Sequence, residues 1–491
     1  MLEILLIIGF LALLGVIVMV KPEIATVLVV FLIYTNLPAV LKQTAGLPEA
    51  LAGAFILLLV FPLIYYLFVK RENPQIDYIW LLMLGFLLVV SLSALFAVDT
   101  DLSIKWIVNY SIEGIVLYFL VLNVIRNRTT LKQVIWSLIL ACTLLGALSL
   151  VQDVTGTYRN DYMGLAQRKK ELSDEDMAKD LGRKSRGDKV RTRDRAGGSI
   201  GDSNRYAQNM LMVLPFALLF VWNEKKRFWK IASLAASAMI LSGILLSYSR
   251  GAFITMLLLF LLLVIMRYIK LYQAALILPV AIVFMLIAAP GYFNRVGTIL
   301  GAAGLFSQSG HSRADAVTRG RTTEMLAALL CFFDHPFLGV GPAQYTPHYS
   351  REYQMNPDIA FRNISRKRRA HILYFEMAAE TGILGIGLFL SIVFAMIIRL
   401  REVRKRGLAR GDTEMANIAA ALMLAIIAYM GTAVFLHMSY MRFFWLIMAI
   451  SGAAVLIFQA ELEEAEEGSE QNPGQPDAHK LGIENREIPK I

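Results

Sequence analysis

RKRRAHILYFEMAAETGILGIGLFLSIVFAMIIR, residues 366–399, decides the fold class. Four basic residues lead into His371, a half-polar stretch with Glu376 and Glu380 follows, and from Ile383 to Ile398 there is no charge. A helix from His371 to Arg399 rises about 43 Å at ~1.5 Å per residue. The hydrocarbon core of a bilayer needs about 30 Å. The apolar part therefore spans lipid, and the first turns, starting at His371, are expected to stand above it. On such a helix His371, Tyr374, Phe375, Ala378 and Gly382 share one face by i, i+3, i+4 spacing, with Glu376 and Glu380 toward the other.

The rest of the chain repeats the theme. Apolar residues make up 57% of 491 positions and charged residues 18%, too little charge for a soluble chain of this length. Lipid offers no partner to backbone N–H and C=O groups, so apolar runs near twenty residues are helices. The short alternating pattern of a membrane barrel is absent. Thirteen such segments are expected, at about 2–20, 23–41, 50–69, 78–96, 104–125, 132–151, 206–222, 228–247, 251–268, 271–290, 372–399, 415–437 and 441–459. The fold class is an all-α polytopic membrane protein with twelve to thirteen spans and two long loops carrying short helices. Residues 2–41 form either one broken span or two. The first run lacks a basic leader and a small-residue cleavage site, and reads as a retained helix. Two cysteines, Cys142 and Cys331, cannot build a disulfide framework or a thiolate metal site.

Basic residues sort the loops. Lys70-Arg71, Arg126/Arg128/Lys132, Lys225-Lys226-Arg227, Arg267/Lys270 and the run from Arg399 to Arg410 fall in alternate connections, which are cytoplasmic by the positive-inside rule. The organisation expected is N-terminal spans over 1–151, a charged loop over 152–205, central spans over 206–290, a large loop over 291–370, C-terminal spans over 371–459 and a disordered cytoplasmic tail over 460–491. Both long loops then lie on the outer face, the first of them mixed in sign and mobile. Loop 291–370 carries ten Arg or Lys against five acids. That surplus fits an anionic ligand or, equally, anionic lipid headgroups. TTEMLAALLCFFDHP within it reads as an amphipathic helix suited to the membrane surface.

No phosphate-cradling GxxxxGK[ST], HExxH or GxSxG is present. The polar candidates collect at outer helix ends. His371 offers an imidazole able to take a proton near neutral pH, or merely an interface residue. Asp202, Ser203 and Asn204 are capping residues ahead of a helix that places Arg205 at the membrane boundary. Arg250 sits in the tight turn SYSRGAF, where its charge either serves a site or snorkels to headgroups. Arginine forks suit phosphate oxygens. Asp99-Thr100-Asp101 is a metal-type D-x-D or simply a helix cap. His335 and His348 lie in the outer loop, and His437, at the end of segment 415–437, is within reach of the same region.

HILYFEMAAETG, with His371 followed by Ile372, nine residues and Gly382, resembles a signature of the bacterial O-antigen ligase and O-antigen polymerase superfamily. RAGGSIGDSNRYAQ (195–208), LLSYSRGAF (245–253) and GRTTEMLAALLCFFDHPFLGVGPAQY (320–345) resemble further blocks of that superfamily in the same order. The resemblance covers about 195–450. Ile372 departs from the Asn, Ser or Gln usual after the histidine, and the charged insert at 165–194 is unusual. The resemblance implies a glycosyltransferase of the bacterial inner membrane with its site facing the periplasm. The donor would be a glycan on undecaprenyl pyrophosphate and the acceptor lipid A-core, another glycan or a protein. His371 would be the catalytic base. Arg205, Arg250, Arg321 and Arg195 would bind pyrophosphate, with Asp202, Asn204, Tyr374 and Glu380 in support. No metal or other cofactor, and no nucleic acid, would be needed. A flippase would instead want polar groups at mid-membrane.

Overall fold

The computed structural model describes residues 21–46, 55–172, 192–276, 314–353, 369–439 and 441–471. The fold is all-α, with one small hairpin. It begins with α1 (Pro22–Tyr34) and α2 (Leu37–Ala45), bent by 57° at a break where Asn36 takes a left-handed backbone. α3 (Phe55–Val69), α4 (Tyr78–Phe96), α5 (Thr100–Val124) and α6 (Arg128–Thr155) follow. After the hairpin β1 (Gln167–Leu172) and β2 (Thr192–Gly198) come α7 (Ser203–Asn223), α8 (Arg227–Leu246) and α9 (Arg250–Ile265). The last part holds α10 (Ala314–Asp334), α11 (Tyr345–Arg351), α12 (Leu373–Ala409), α13 (Thr413–Thr432) and α14 (Met441–Gln471). Among the described residues eight helices are long and apolar enough to cross a membrane, nine if the bent pair is one span, while α3 and α9 are shorter. The expected spans at 2–20 and, beyond Leu276, 271–290 lie outside the described residues.

The central helices are α7, α13 and α14, the most buried of the spans. α7 packs against α8 and α13, and α13 against α12. Outward faces carry exposed Leu81, Leu88, Leu140, Ile231, Leu261, Phe394 and Ile398, the composition a lipid-facing belt requires. The two ends of the bundle sort as the basic loops imply. At one end Arg128 meets Asp412 (2.6 Å) and Glu461 (2.7 Å), Arg126 meets Glu72 (2.9 Å), and Arg399 meets the buried carboxylate of Asp77 (2.7 Å). At the other end Ser93 donates to the Glu380 carbonyl (2.7 Å), Ser103 to the Pro342 carbonyl (2.8 Å) and Arg195 to the Ser247 carbonyl (2.8 Å).

Five expectations change. The described part of loop 152–205 is an antiparallel hairpin, not a helix-bearing mobile loop: Arg168 stacks on the Tyr158 ring at 4.4 Å and Lys169 bonds Asp202 at 2.9 Å, fixing β1 to the bundle. The insert 173–191 lies outside the described residues. α14 runs on to Gln471, because AELEEAEE is built from strong helix formers, so the tail does not begin at 460. α13 stops at Thr432, and residues 433–439 turn back over the bundle. α10 rests on protein: Ala327, Ala328 and Cys331 are buried with Val340, Tyr345, Tyr349 and Ala379. Finally, α12 is broken. Gly382 has φ 63° and ψ −169°, and His371 precedes the helix rather than starting it.

The break at Gly382 places the site. A helix interrupted there loses hydrogen bonds that must be replaced. The turn 335–341 replaces them: Ile383 N–H donates to the Pro336 carbonyl (2.8 Å), while Val340 and Gly341 N–H donate to the Ala379 (3.0 Å) and Glu380 (2.9 Å) carbonyls. A Cβ on Gly382 would fall on the Phe337 carbonyl, so only glycine admits the turn. The segment 373–381 is thereby set off from the apolar run and locked to α10 and α11.

Candidate functional site

At the end of the bundle held by that turn, six charged or titratable side chains converge from five elements. They are Arg205 on α7, Glu324 on α10, Arg369 and His371 on the segment before α12, Glu376 on α12 and His437 on the segment after α13.

His371 has φ 54°, the left-handed region that a non-glycine residue enters at a cost. The conformation is over-determined. Leu373 N–H, an unpaired donor of the helix start, donates to the Ala433 carbonyl (3.0 Å), and Ala370 N–H donates to Glu376 Oε2 (3.0 Å). Ile372 at the N-cap supplies no side-chain oxygen. The Ala433 carbonyl at the end of α13 takes the Leu373 N–H in its place, while Glu376 fixes the residue before His371. His371 Nε2 lies 3.7 Å from Glu324 Oε2; the imidazole is 42% exposed and the carboxylate 1%. The His371 and His437 rings sit 6.0 Å apart between centroids. Burial, with Arg369, Arg205 and His371 nearby, pushes the His437 imidazole well below its ordinary range, so it stays neutral.

Arg205 is buried and aimed. Its Nη1 donates to Gln208 Oε1 (3.4 Å) and Nη2 to Ser439 Oγ (3.3 Å). Gln208 is itself fixed by donating to Thr432 Oγ1 (2.8 Å). Asp202 caps α7 by accepting from Asn204 N–H (3.0 Å) and Arg205 N–H (3.1 Å). Burial works against the Asp202 carboxylate, but Lys169 and the backbone bonds hold it below the usual range. Arg369 Nε stands 3.5 Å from Glu376 Oε1, and it is only partly covered. Two guanidinium groups therefore face the same region as a solvent-accessible imidazole.

The other expected residues lie around this cluster. Arg195 is buried and ties β2 to the α8–α9 turn through Ser247, and to α7 through Asn204 Oδ1 (3.0 Å). Arg250 is the half-buried first residue of α9. Arg321 lies on α10, with its side chain outside what the structure describes. Tyr374 donates to the Met430 carbonyl (2.7 Å), pinning α12 to α13. Glu380 is buried and accepts from Tyr345 N–H (3.2 Å), so it holds the turn before α11 rather than facing His371. Asp99 caps α5, accepting from Leu102 N–H (3.3 Å), and Gln344 grips its backbone. Asp101 is exposed at the surface.

Glu324, Glu376 and Arg369 join this cluster, and the residue pattern did not single them out. Arg369 was visible only as one of four consecutive cations. Glu324 had one signal, an acid on the otherwise apolar face of the TTEMLAALLC helix. Its buried neighbours Thr323, Ala327, Ala328 and Cys331 show which face that is.

Residues 235–390 match the family model described as O-antigen ligase. The matched region runs from α8 through the break in α12 and contains Arg250, Glu324, Arg369, His371 and Glu376; Arg205 and His437 lie outside it. Among curated proteins none matches the chain.

Proposed function

Starting from a multi-pass membrane protein of the O-antigen ligase/polymerase superfamily, we propose that it transfers a glycan from undecaprenyl pyrophosphate to an acceptor hydroxyl, at the periplasmic face of the inner membrane. Lipid A-core is the acceptor this reading favours. The observation that carries it is the convergence of Arg205, Arg369 and an accessible His371 at one end of the bundle. Pyrophosphate is a good leaving group from an anomeric carbon. The chemistry needs a base for the incoming hydroxyl and cations for the departing anion. His371 takes the acceptor proton as that oxygen bonds the anomeric carbon from the side opposite the pyrophosphate, inverting the centre. The carbon–oxygen bond to pyrophosphate breaks, and Arg205 and Arg369 meet the charge left on it. Arg250 and Arg321 are further cations for the diphosphate, and Arg195, Asp202, Asn204, Tyr374 and Glu380 hold the frame. Guanidinium groups fill the role a metal takes in other transferases.

The test uses purified protein with an undecaprenyl-pyrophosphate glycan and lipid A-core. His371→Ala should lower transfer by about 10² to 10⁴ while donor binding persists. Unchanged transfer in a folded His371→Ala protein overturns the base. Wild-type protein that leaves lipid A-core untouched but lengthens the lipid-linked glycan overturns the acceptor and makes it a polymerase.

A further inference from the structure

Resting on the reading of His371 as the base, we propose that Glu324 is its positioning carboxylate, facing Nε2 at ion-pair distance so that Nδ1 is left to the acceptor hydroxyl. Glu324 Oε2 is 3.7 Å from His371 Nε2, and the carboxylate is 99% covered while the imidazole is open. A buried carboxylate in an apolar setting is costly unless a cation or donor meets it. Here it stands on a buried helix face with Thr323, Ala327, Ala328 and Cys331. α10 is kept in place beside it by the Tyr345 hydroxyl, which donates to the Glu324 backbone carbonyl (2.6 Å).

The surrounding charges make the role specific. His371 faces Glu324 from α10 and His437 from the segment after α13. Arg369, on its own segment, and Arg205, from α7, act on the same two-histidine region, and Glu376 of α12 partners Arg369. The arginines and His437 disfavour a second positive charge; Glu324 alone of these groups meets His371 with a negative one at ion-pair distance. During transfer the acceptor proton passes to Nδ1 as the new glycosidic bond forms and the bond to pyrophosphate breaks. The imidazolium so formed is compensated by Glu324 and then loses the proton to water.

The experiment uses full-length protein in nanodiscs, labelled with ¹⁵N-histidine. Only six histidines are present, and His371 is assigned by the resonance missing from His371→Ala. Its titration midpoint is read in wild type, Glu324→Gln and Glu324→Asp, beside the pH dependence of kcat/KM. Removing a neighbouring negative charge should lower the midpoint by roughly one pH unit. The acid limb of the rate profile should move the same way and transfer should fall at least about tenfold. Glu324→Asp should recover part of each. An unmoved His371 midpoint in folded Glu324→Gln protein overturns the proposal. So does lost transfer with an unmoved acid limb, which is what a purely structural carboxylate gives. If the midpoint moves but His371→Ala still transfers, the failure lies with His371 as base, and the positioning role falls with it.

Discussion

Alanine at Gly382 is the sharpest perturbation the fold allows, because it attacks the break without touching a charged group. The cost is that of the backbone conformation plus one of two alternatives. The backbone conformation, φ 63° and ψ −169°, is open to glycine and costs another residue about 1–3 kcal/mol. The new Cβ would meet the Phe337 carbonyl and come within 2.6 Å of Leu338 N, which are backbone atoms that cannot rotate aside. Overpacking of that kind costs about 1–3 kcal/mol. If the turn retreats instead, it gives up the Ile383, Val340 and Gly341 hydrogen bonds, each worth about 1 kcal/mol. The backbone cost plus one of these two alternatives gives an expected loss of about 2–6 kcal/mol, a large part of a typical folding free energy of about 5–15 kcal/mol. The alternative open to the chain is to heal α12 into one continuous helix. That would release the turn 335–341 and, with it, the register of α10 and Glu324 against His371. Gly382→Ala should therefore melt several degrees lower in detergent and transfer glycan at least about 10²-fold more slowly. Gly387→Ala is the control: it lies one turn on, in helical conformation, with no atom near the added Cβ, and should be neutral or slightly stabilising. A Gly382→Ala protein with wild-type melting and wild-type transfer would refute the break as the device that builds the site.

The remaining expectations concern charge. Arg205→Lys should already reduce transfer by about tenfold, since a point ammonium cannot span both Gln208 and Ser439, and Arg250→Lys should do less; equal, full activity in both would favour headgroup contacts. Transfer should survive excess chelator, and Asp99→Ala should act on stability, by about 1 kcal/mol for a lost cap, rather than on rate; loss on chelation restored by a divalent cation would reverse that reading. His348 and His437 are both pushed below their ordinary range, chiefly by burial. A depressed histidine contributes stability above its unfolded value, about 6.5, and that contribution is lost as the pH falls below it. Melting temperature should drop between about pH 6.5 and 5, and His348→Gln should flatten part of the slope; a flat wild-type curve would count against neutral burial. Asp77→Ala should destabilise by about 3–5 kcal/mol by stranding Arg399 in the bundle, with Arg399→Met/Asp77→Leu milder than either single change.

The spans were legible because lipid imposes one rule on every one of them: satisfy the backbone internally and face outward with grease. That rule acts residue by residue, so length and hydropathy carry it. The alternation of basic loops follows a second rule, the positive-inside bias, and at one end of the bundle Arg128 meets Asp412 and Glu461, far apart in sequence yet sorted together. Outside the lipid the rule stops. The antiparallel pair β1–β2 and the helical start of the tail at 460–471 obey soluble-protein physics, and reading them as a loop and a disordered tail carried over a constraint that no longer applied.

The site was half legible for a related reason. Arg205 and His371 each follow a local signal, a capping run and a basic-to-apolar switch, and both lie in the same cluster at one end of the bundle. His437 was visible only from its place at the end of segment 415–437, and Glu324 only as an acid on an apolar helix face; their meeting with His371 depends on where the segment after α13 and α10 come to rest. The face assignment on α12 erred for the same cause. Helical spacing from His371 assumes the helix includes it, whereas a left-handed residue at 371 resets the phase and Gly382 breaks it again. Glu376 then turns from a residue on the far side into the group that holds Ala370 N–H and faces Arg369. The two positions that defeat the periodic reading, His371 and Gly382, are also the two that the resemblance is built on. A motif of one histidine and one glycine is conformational as much as chemical: the histidine bends the entry to the helix and the glycine opens its middle. The ten residues between become a short rigid strut that carries Glu376 and Glu380 between the site and the turn that supports it.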